Sequence, residues 1–178
     1  VAASGGYWLA CAADEIFASK ASIIGSIGVV SSGFGFDKAI DKIGIDRRLY
    51  TSGENKAILD PFLPENKDDV KRLKDIQKEL HNQFISFVKS RRGSKITNKD
   101  KDLFTGAFWS GQKSLDLGLI DAFGEMKFIL KERFGEDIKI KEFAPKKKFF
   151  AFGNLLSGAL DALIHKVEER ISFKRFGL

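Results

Sequence analysis

Apolar residues recur along the chain in two alternating patterns, one typical of strands and one typical of helices. Short runs of β-branched and aromatic residues at 15–19 and 22–31 predict buried strands, and two internal glycines are expected to bend the second. Apolar residues three and four positions apart predict a long helix from about residue 65 to residue 91. Its apolar positions are Val70, Leu73, Ile76, Leu80, Phe84, Phe87 and Val88. Strands interleaved with helices indicate an α/β fold.

Shorter elements surround these segments. Helices are predicted at 7–13, 36–44, 126–134 and ending near Gly118, and strands at 47–51, 119–122 and 138–143. The last segment, 155–171, carries its leucines on one face and its acidic residues largely elsewhere, which predicts an amphipathic helix. That helix is expected to pack on protein or to lie in a membrane interface.

Amino-acid composition and charge exclude several classes of protein. The 178 residues are 43% hydrophobic and include 17 Phe, enough for a buried core, and the single Cys11 excludes an internal disulfide and a cysteine metal cluster. Net charge is +6, with basic stretches at 89–95 and 144–150. These stretches face anions or are solvated surface, and no nucleic-acid-binding motif accompanies them. No apolar run reaches the roughly 18 residues of a membrane span.

The opening stretch VAASGGY places Ser4 among the smallest residues, directly before an Ala-rich apolar run. In a nucleophile elbow, a serine sits on a tight strand-to-helix turn, and its neighbours two positions away are small because the backbone folds back there. Ala2 and Gly6 meet this requirement. The N–H groups of the following helix would favour an oxyanion. The alternative is a plain helix cap, in which the Ser4 hydroxyl accepts a hydrogen bond from the helix.

A serine needs a base to act as a nucleophile, and histidine is the usual one. His81 falls midway along the long charged helix and His165 on the polar side of the last helix, so both are predicted to be surface residues. A lysine serves instead when burial keeps its amine uncharged. Lys56 in GENKAILDPF is the candidate, because an apolar run follows it in a Gly-bounded loop. The alternative is an ordinary solvated lysine.

Five segments carry a more specific signal: ASGGYW, ACAADEIFAS, GSIGVV, TSGENKAILDPF and FTGAFWSGQKSLDLGLIDAFGEM. In their order and spacing over about residues 1 to 130, they resemble the signal peptide peptidase A and SohB family of serine–lysine peptidases. The resemblance implies a ClpP/crotonase-like fold of repeated ββα units. Residues 1–145 are then the C-terminal portion of the catalytic domain, and residues 146–178 are a basic linker and the amphipathic C-terminal helix.

By position, the resemblance implies Ser4 as nucleophile and Lys56 as general base. Ser26 in GSIG matches a family serine that orients the lysine amine, and its alternative is a strand hydroxyl satisfied by backbone. The N–H of Gly5 is expected to be one oxyanion donor. A second is expected from a Gly-rich loop upstream of the serine. Since the chain begins with Val1 and its one methionine is Met126, we expect that loop to lie outside this sequence.

The implied reaction is hydrolysis of signal peptides or other short hydrophobic peptides through an acyl-enzyme, without metal or cofactor. An extended peptide is expected to pair with the apolar stretch 22–36 as an added strand. The implied partners are this peptide, further copies of the chain and a bacterial membrane surface, but no nucleic acid. A crotonase-like acyl-CoA enzyme or a non-catalytic scaffold is the alternative, because the same fold serves several functions.

Overall fold

Short strands and helices alternate through the part of the chain that the computed structural model describes, residues 1–97, 101–141 and 143. The elements are β1 Ala2–Ala3, α1 Gly5–Ala10, β2 Phe17–Ala18, β3 Ile23–Gly25, α2 Asp37–Lys42, α3 Lys67–Arg92, a 3₁₀ turn Gly93–Lys95, β4 Phe108–Ser110, α4 Gly111–Asp116, β5 Ala122–Phe123 and α5 Met126–Phe134. The predicted α/β class is confirmed. The chain divides into two units, Val1–Ile138 and Lys139–Leu178.

The strands form two small sheets. In the first, of order β1-β3-β4, β3 is parallel to β1 and antiparallel to β4. The register pairs Ala3 with Gly25, so the residues that follow them, Ser4 and Ser26, leave neighbouring parallel strands at the same edge. In the second sheet, β2 is parallel to β5.

The core lies between the first sheet, α1, α4 and the C-terminal half of α3. Its largest fully buried side chains are Tyr7, Phe84, Ile24, Ile27, Leu103, Leu117, Leu119 and Ile120. The long helix is confirmed, and Asn66 caps it by accepting a hydrogen bond from the Asp68 N–H (2.8 Å). Its apolar stripe is covered unevenly: Phe84 is buried, whereas Ile76 and Leu80 are 46% and 41% exposed.

Several predicted elements differ from the structure. No strand forms at 47–51, nor at 138–141 and 143, because no neighbouring strand pairs with either stretch within the described ranges. The strand predicted over 22–31 ends at Gly25, where φ is +104°. The strand predicted at 119–122 lies at Ala122–Phe123. Helix α5 is confirmed with its predicted bounds. The predicted C-terminal helix at 155–171 falls outside the described residues.

Candidate active site

Ser4 occupies the turn between β1 and α1. Its φ of +54° and ψ of −127° are a backbone conformation that residues other than glycine rarely adopt. The turn is held because the Ser4 N–H donates to the Gly25 carbonyl (2.8 Å), and the N–H groups of Tyr7 and Trp8 donate to the Ser4 carbonyl (3.0 Å each). The hydroxyl makes no capping hydrogen bond, and the residue is exposed. The plain helix-cap interpretation of Ser4 is therefore wrong.

Gly5 and Gly6 begin α1 with free N–H groups. The first N–H groups of a helix have no partner inside it, and these two make no hydrogen bond elsewhere in the described chain. A Cβ added to either glycine would meet no atom within 4 Å. The expectation that Gly6 must be small because the backbone folds back on it is thus wrong, since the space beside it is open.

Ser26 begins a second tight turn, Ser26–Gly28, which we call the Ser26 turn. Its φ is +51°, close to that of Ser4. The Ser26 N–H donates to the Ala107 carbonyl (2.7 Å), and its carbonyl accepts from the Gly28 N–H (2.9 Å). Gly28 lies against Gly106, because an added Cβ would stand 3.0 Å from the Gly106 Cα. The half-buried Ser26 hydroxyl has no hydrogen bond within residues 1–97, 101–141 and 143, so the interpretation as a backbone-satisfied hydroxyl is wrong.

Lys56 lies in a run of turns at 52–59 and is exposed. Its N–H donates to the Gly53 carbonyl (3.2 Å), and its side chain crosses Gly53, with Cγ 3.3 Å from where a Cβ would stand. In the described part of the chain, no hydrogen bond or ion pair joins its amine to either serine. The structure brings Ser4, Gly5 and Ser26 together at one sheet edge, and the role of Lys56 stays a prediction.

Sequence analysis missed the contacts that fix α1. The Tyr7 hydroxyl donates to the Leu119 carbonyl (2.8 Å), and the Trp8 ring stacks on Phe84 with centroids 4.5 Å apart. At the other end of α1, Arg91 donates to the carbonyls of Cys11 (2.9 Å) and of the two residues after it. A cation at the C-terminal end of a helix satisfies its unpaired carbonyls. Helix α1 is thus held by tertiary contacts from Tyr7 to its C-terminal end.

The interior beside α1 keeps its titratable groups neutral. Burial raises the pKa of the Tyr7 hydroxyl above its usual range, and proximity to Cys11 adds to the shift. Burial likewise raises the pKa of the Cys11 thiol, despite a hydrogen bond with Tyr7 that acts the other way. Because a thiolate is the reactive form of cysteine, Cys11 is a packing residue.

A cluster of charged side chains joins the end of α3 to the segment before β5. The buried Arg92 binds the Asp121 carboxylate (2.7 and 3.2 Å) and the Gly118 carbonyl (2.9 Å), and Lys95 also reaches Asp121 (2.6 Å). Burial alone would raise the pKa of Asp121, but hydrogen bonds from Arg92, Lys95 and the Ile16 N–H outweigh it and lower that pKa well below its usual range. The charge of Asp121 is therefore satisfied within the fold.

His81 is not the free surface residue predicted. It is half-buried on α3, and its Nε2 lies 3.0 Å from the carbonyl oxygen of Ile27, inside the Ser26 turn. The pattern around position 81 gives no signal of this contact, because its partner is 54 residues away in the chain.

The expected strand addition along 22–36 is wrong for its first part. β3 lies between β1 and β4, so both of its edges are already paired. Beyond the Ser26 turn, residues 29–36 form no strand, and Val30 and Phe34 are 65% and 81% exposed. An extended peptide thus has free backbone available only after Gly28 in this stretch.

Comparison with known proteins identifies relatives for most of the chain. The family model of peptidase family S49 matches residues 1–134. A probable protease SohB from Haemophilus influenzae is 30% identical over 97% of this chain and 48% of its own length. A putative signal peptide peptidase SppA from Enterococcus faecium is 31% identical over 69% of this chain and 36% of its own length.

A protein of Brucella abortus named Na(+)/H(+) antiporter NhaA is 44% identical over the whole of this chain. The match covers 26% of that protein, so the chain spans about a quarter of its length and less than half of the two proteases. No helix in the described part of the chain has the length and apolar content needed to cross a membrane.

Proposed function

The chain belongs to peptidase family S49, and we propose that it is the serine-bearing part of a serine endopeptidase with Ser4 as nucleophile and Lys56 as general base. The observation that carries this proposal is the backbone of Ser4. Ser4 is an exposed non-glycine residue at φ +54° between a strand and a helix, with free N–H groups beside it, and backbone strain of this kind supports a functional role.

The proposed chemistry proceeds through an acyl-enzyme. Ser4 Oγ attacks the scissile carbonyl carbon while its proton passes to the uncharged Nζ of Lys56. The oxyanion accepts a hydrogen bond from the Gly5 N–H, and a Gly-rich loop preceding the serine supplies a second donor. The C–N bond then breaks and the leaving amine takes the proton from Nζ. Water gives a proton to Lys56 Nζ and attacks the ester carbonyl. The bond to Ser4 Oγ then breaks, Oγ takes the proton back from Nζ, and the acid is released.

Ser26 is proposed to orient the lysine amine. Its hydroxyl has no partner in the described part of the chain and lies at the same sheet edge as Ser4, since the two residues follow the paired Ala3 and Gly25. Orientation of the base by a third group is the role that Asp plays in a histidine triad.

The proposed substrates are signal peptides or other short hydrophobic peptides, bound beside Val29 and Val30 after the Ser26 turn. The proposed fold is the ClpP/crotonase-like fold of repeated ββα units.

We further propose that the chain assembles with copies of itself at a bacterial membrane surface. In support, no side chain in 29–66 is buried, and large apolar side chains concentrate there, as on interaction surfaces. They are Val29, Val30, Phe34, Phe36, Ile43, Ile45, Leu49, Tyr50, Ile58 and Phe62.

A serine-directed acylating probe tests the proposal on the full-length protein. We expect labelling to disappear in Ser4→Ala and to slow by at least about a hundredfold in Lys56→Ala, because the base is lost. Lys38→Ala is the matched control, an exposed lysine of the same segment that is expected to label normally. Labelling that survives Ser4→Ala would reject the nucleophile, and unchanged labelling in Lys56→Ala would reject the base. A wild-type protein that takes no label and cleaves no peptide would favour an acyl-CoA enzyme or a scaffold.

A further inference from the structure

The Ser26 turn is held by hydrogen bonds at the N–H and carbonyl of Ser26, the carbonyl of Ile27 and the N–H of Gly28. The N–H and carbonyl of Ser26 are bonded to Ala107 and Gly28, as described above. Ile27 is fully buried, and its carbonyl faces α3, where it meets the imidazole of His81 (3.0 Å). His81 is the one side chain that hydrogen-bonds this turn within the described residues.

The direction of this hydrogen bond follows from the acceptor. A backbone carbonyl oxygen has no proton to give, so Nε2 of His81 carries the hydrogen and donates it. Three residues further along α3, Phe84 stacks on Trp8 of α1. One face of α3 therefore contacts both the turn that carries Ser26 and the helix that follows Ser4.

We propose that His81 is a positioning residue for catalysis. By holding the Ile27 carbonyl, it keeps Ser26 in its left-handed backbone conformation and so sets the direction of the Ser26 hydroxyl. This inference rests on the proposed function, in which Ser26 orients the lysine base. His81 touches neither substrate nor reacting atoms, and its effect passes through Ser26.

The cleanest test compares two side chains of equal length in the full-length protein. Gln carries its amide N–H at the position of Nε2, whereas Met has the same length and no donor, and both are good helix formers. We expect His81→Met to lower the maximal acylation rate about tenfold with little change in probe affinity, as loss of one buried hydrogen bond allows. His81→Gln is expected to restore the rate to within about twofold of wild type.

A double-mutant cycle separates positioning from general destabilisation. In a Ser26→Ala background, His81→Met is expected to cause no further loss of rate, because the group it positions is gone. Lys78→Met, at an exposed position of the same helix, is the control and is expected to label like wild type. His81→Phe, which keeps the ring and removes the donor, replaces His81→Met if the latter fails to fold.

Three outcomes would overturn the inference: equal rates for the Gln and Met variants, an additive loss in the Ser26→Ala background, or a change in probe affinity alone. Failure of the proposed function gives a different result, since Ser4→Ala would then still be labelled whatever residue stands at position 81.

Discussion

Two regions of the molecule differ in how deeply their side chains are buried. One carries Ser4 and Ser26 and comprises residues 1–28 and 84–123, and the other carries Lys56 and comprises residues 29–66. In the first region, short elements surround a core that contains Tyr7, Phe84 and the Arg92–Asp121 ion pair. In the second, which the structure describes without a gap, every side chain is exposed or half-buried. The region around Ser4 and Ser26 is therefore packed on a core, whereas the region around Lys56 has no buried residue in the described chain.

This difference has a chemical consequence for the proposed dyad. The strained turns at Ser4 and Ser26 persist because the packed surroundings hold them. A lysine acts as a base only where burial or neighbouring charges keep its amine uncharged. The segment around Lys56 instead has local contacts, such as the Arg47–Asp60 pair (2.9 Å), whose arginine side chain is 40% exposed. In the proposed assembly, contacts over the apolar residues of 29–66 would bury this segment.

The largest contrast is expected between the ion pairs of the two regions. Arg92→Ala leaves Asp121 without its buried partner, and we expect it to lower the free energy of unfolding by about 3 to 5 kcal/mol. Arg47→Ala removes a pair whose arginine is solvent-exposed, and we expect an unfolding midpoint close to wild type. Chemical denaturation of both variants measures the difference. Equal losses of unfolding free energy in the two variants would show that residues 29–66 are as tightly packed as the region around Ser4 and Ser26.

Two tyrosines give a smaller contrast. Tyr7→Phe removes the buried hydrogen bond to the Leu119 carbonyl, which we expect to cost about 1 to 3 kcal/mol because the carbonyl is left unsatisfied. Tyr50 is 90% exposed, and Tyr50→Phe is expected to change stability by less than about 0.5 kcal/mol. Thermal unfolding compares the two variants directly. A costly Tyr50→Phe would mean that this hydroxyl is covered in the full-length protein.

The smallest change in stability is expected for alanine at Gly6, beside the turn that carries Ser4. In Gly6→Ala the added Cβ meets no atom within 4 Å, so we expect a gain of up to about 1 kcal/mol, because alanine loses less backbone entropy than glycine on folding. At the start of α4, an added Cβ on Gly111 would overlap the Ser19 carbonyl, and Gly111→Ala is expected to lower stability by about 1 to 3 kcal/mol. Urea midpoints of both variants test this. A loss in Gly6→Ala would show that another part of the full-length protein fills the space.

Local patterns predicted the elements whose stabilising contacts are close in the chain. Helix α3 was found from its apolar spacing, α2 with its stop signal at Gly44, and α5 from its own residues. The turn at Ser4 was recognised because small residues flank it. The strand predicted at 47–51 was wrong because β-forming residues pair only if the fold supplies a neighbouring strand.

The amino-acid sequence by itself determined the α/β class, the family and the small-residue turn at Ser4, because periodicity, turn residues and motif order are properties of neighbouring residues. Only the tertiary structure decided that Ser4 and Ser26 leave the same sheet edge, that Arg91 binds the end of α1 and that His81 reaches the Ser26 turn. Each of these contacts joins residues more than twenty positions apart, and the side chains involved carry no local mark of their partners. It also decided that, in the described chain, neither the first half of α3 nor residues 29–66 contain a fully buried residue, since burial depends on what the rest of the fold brings near.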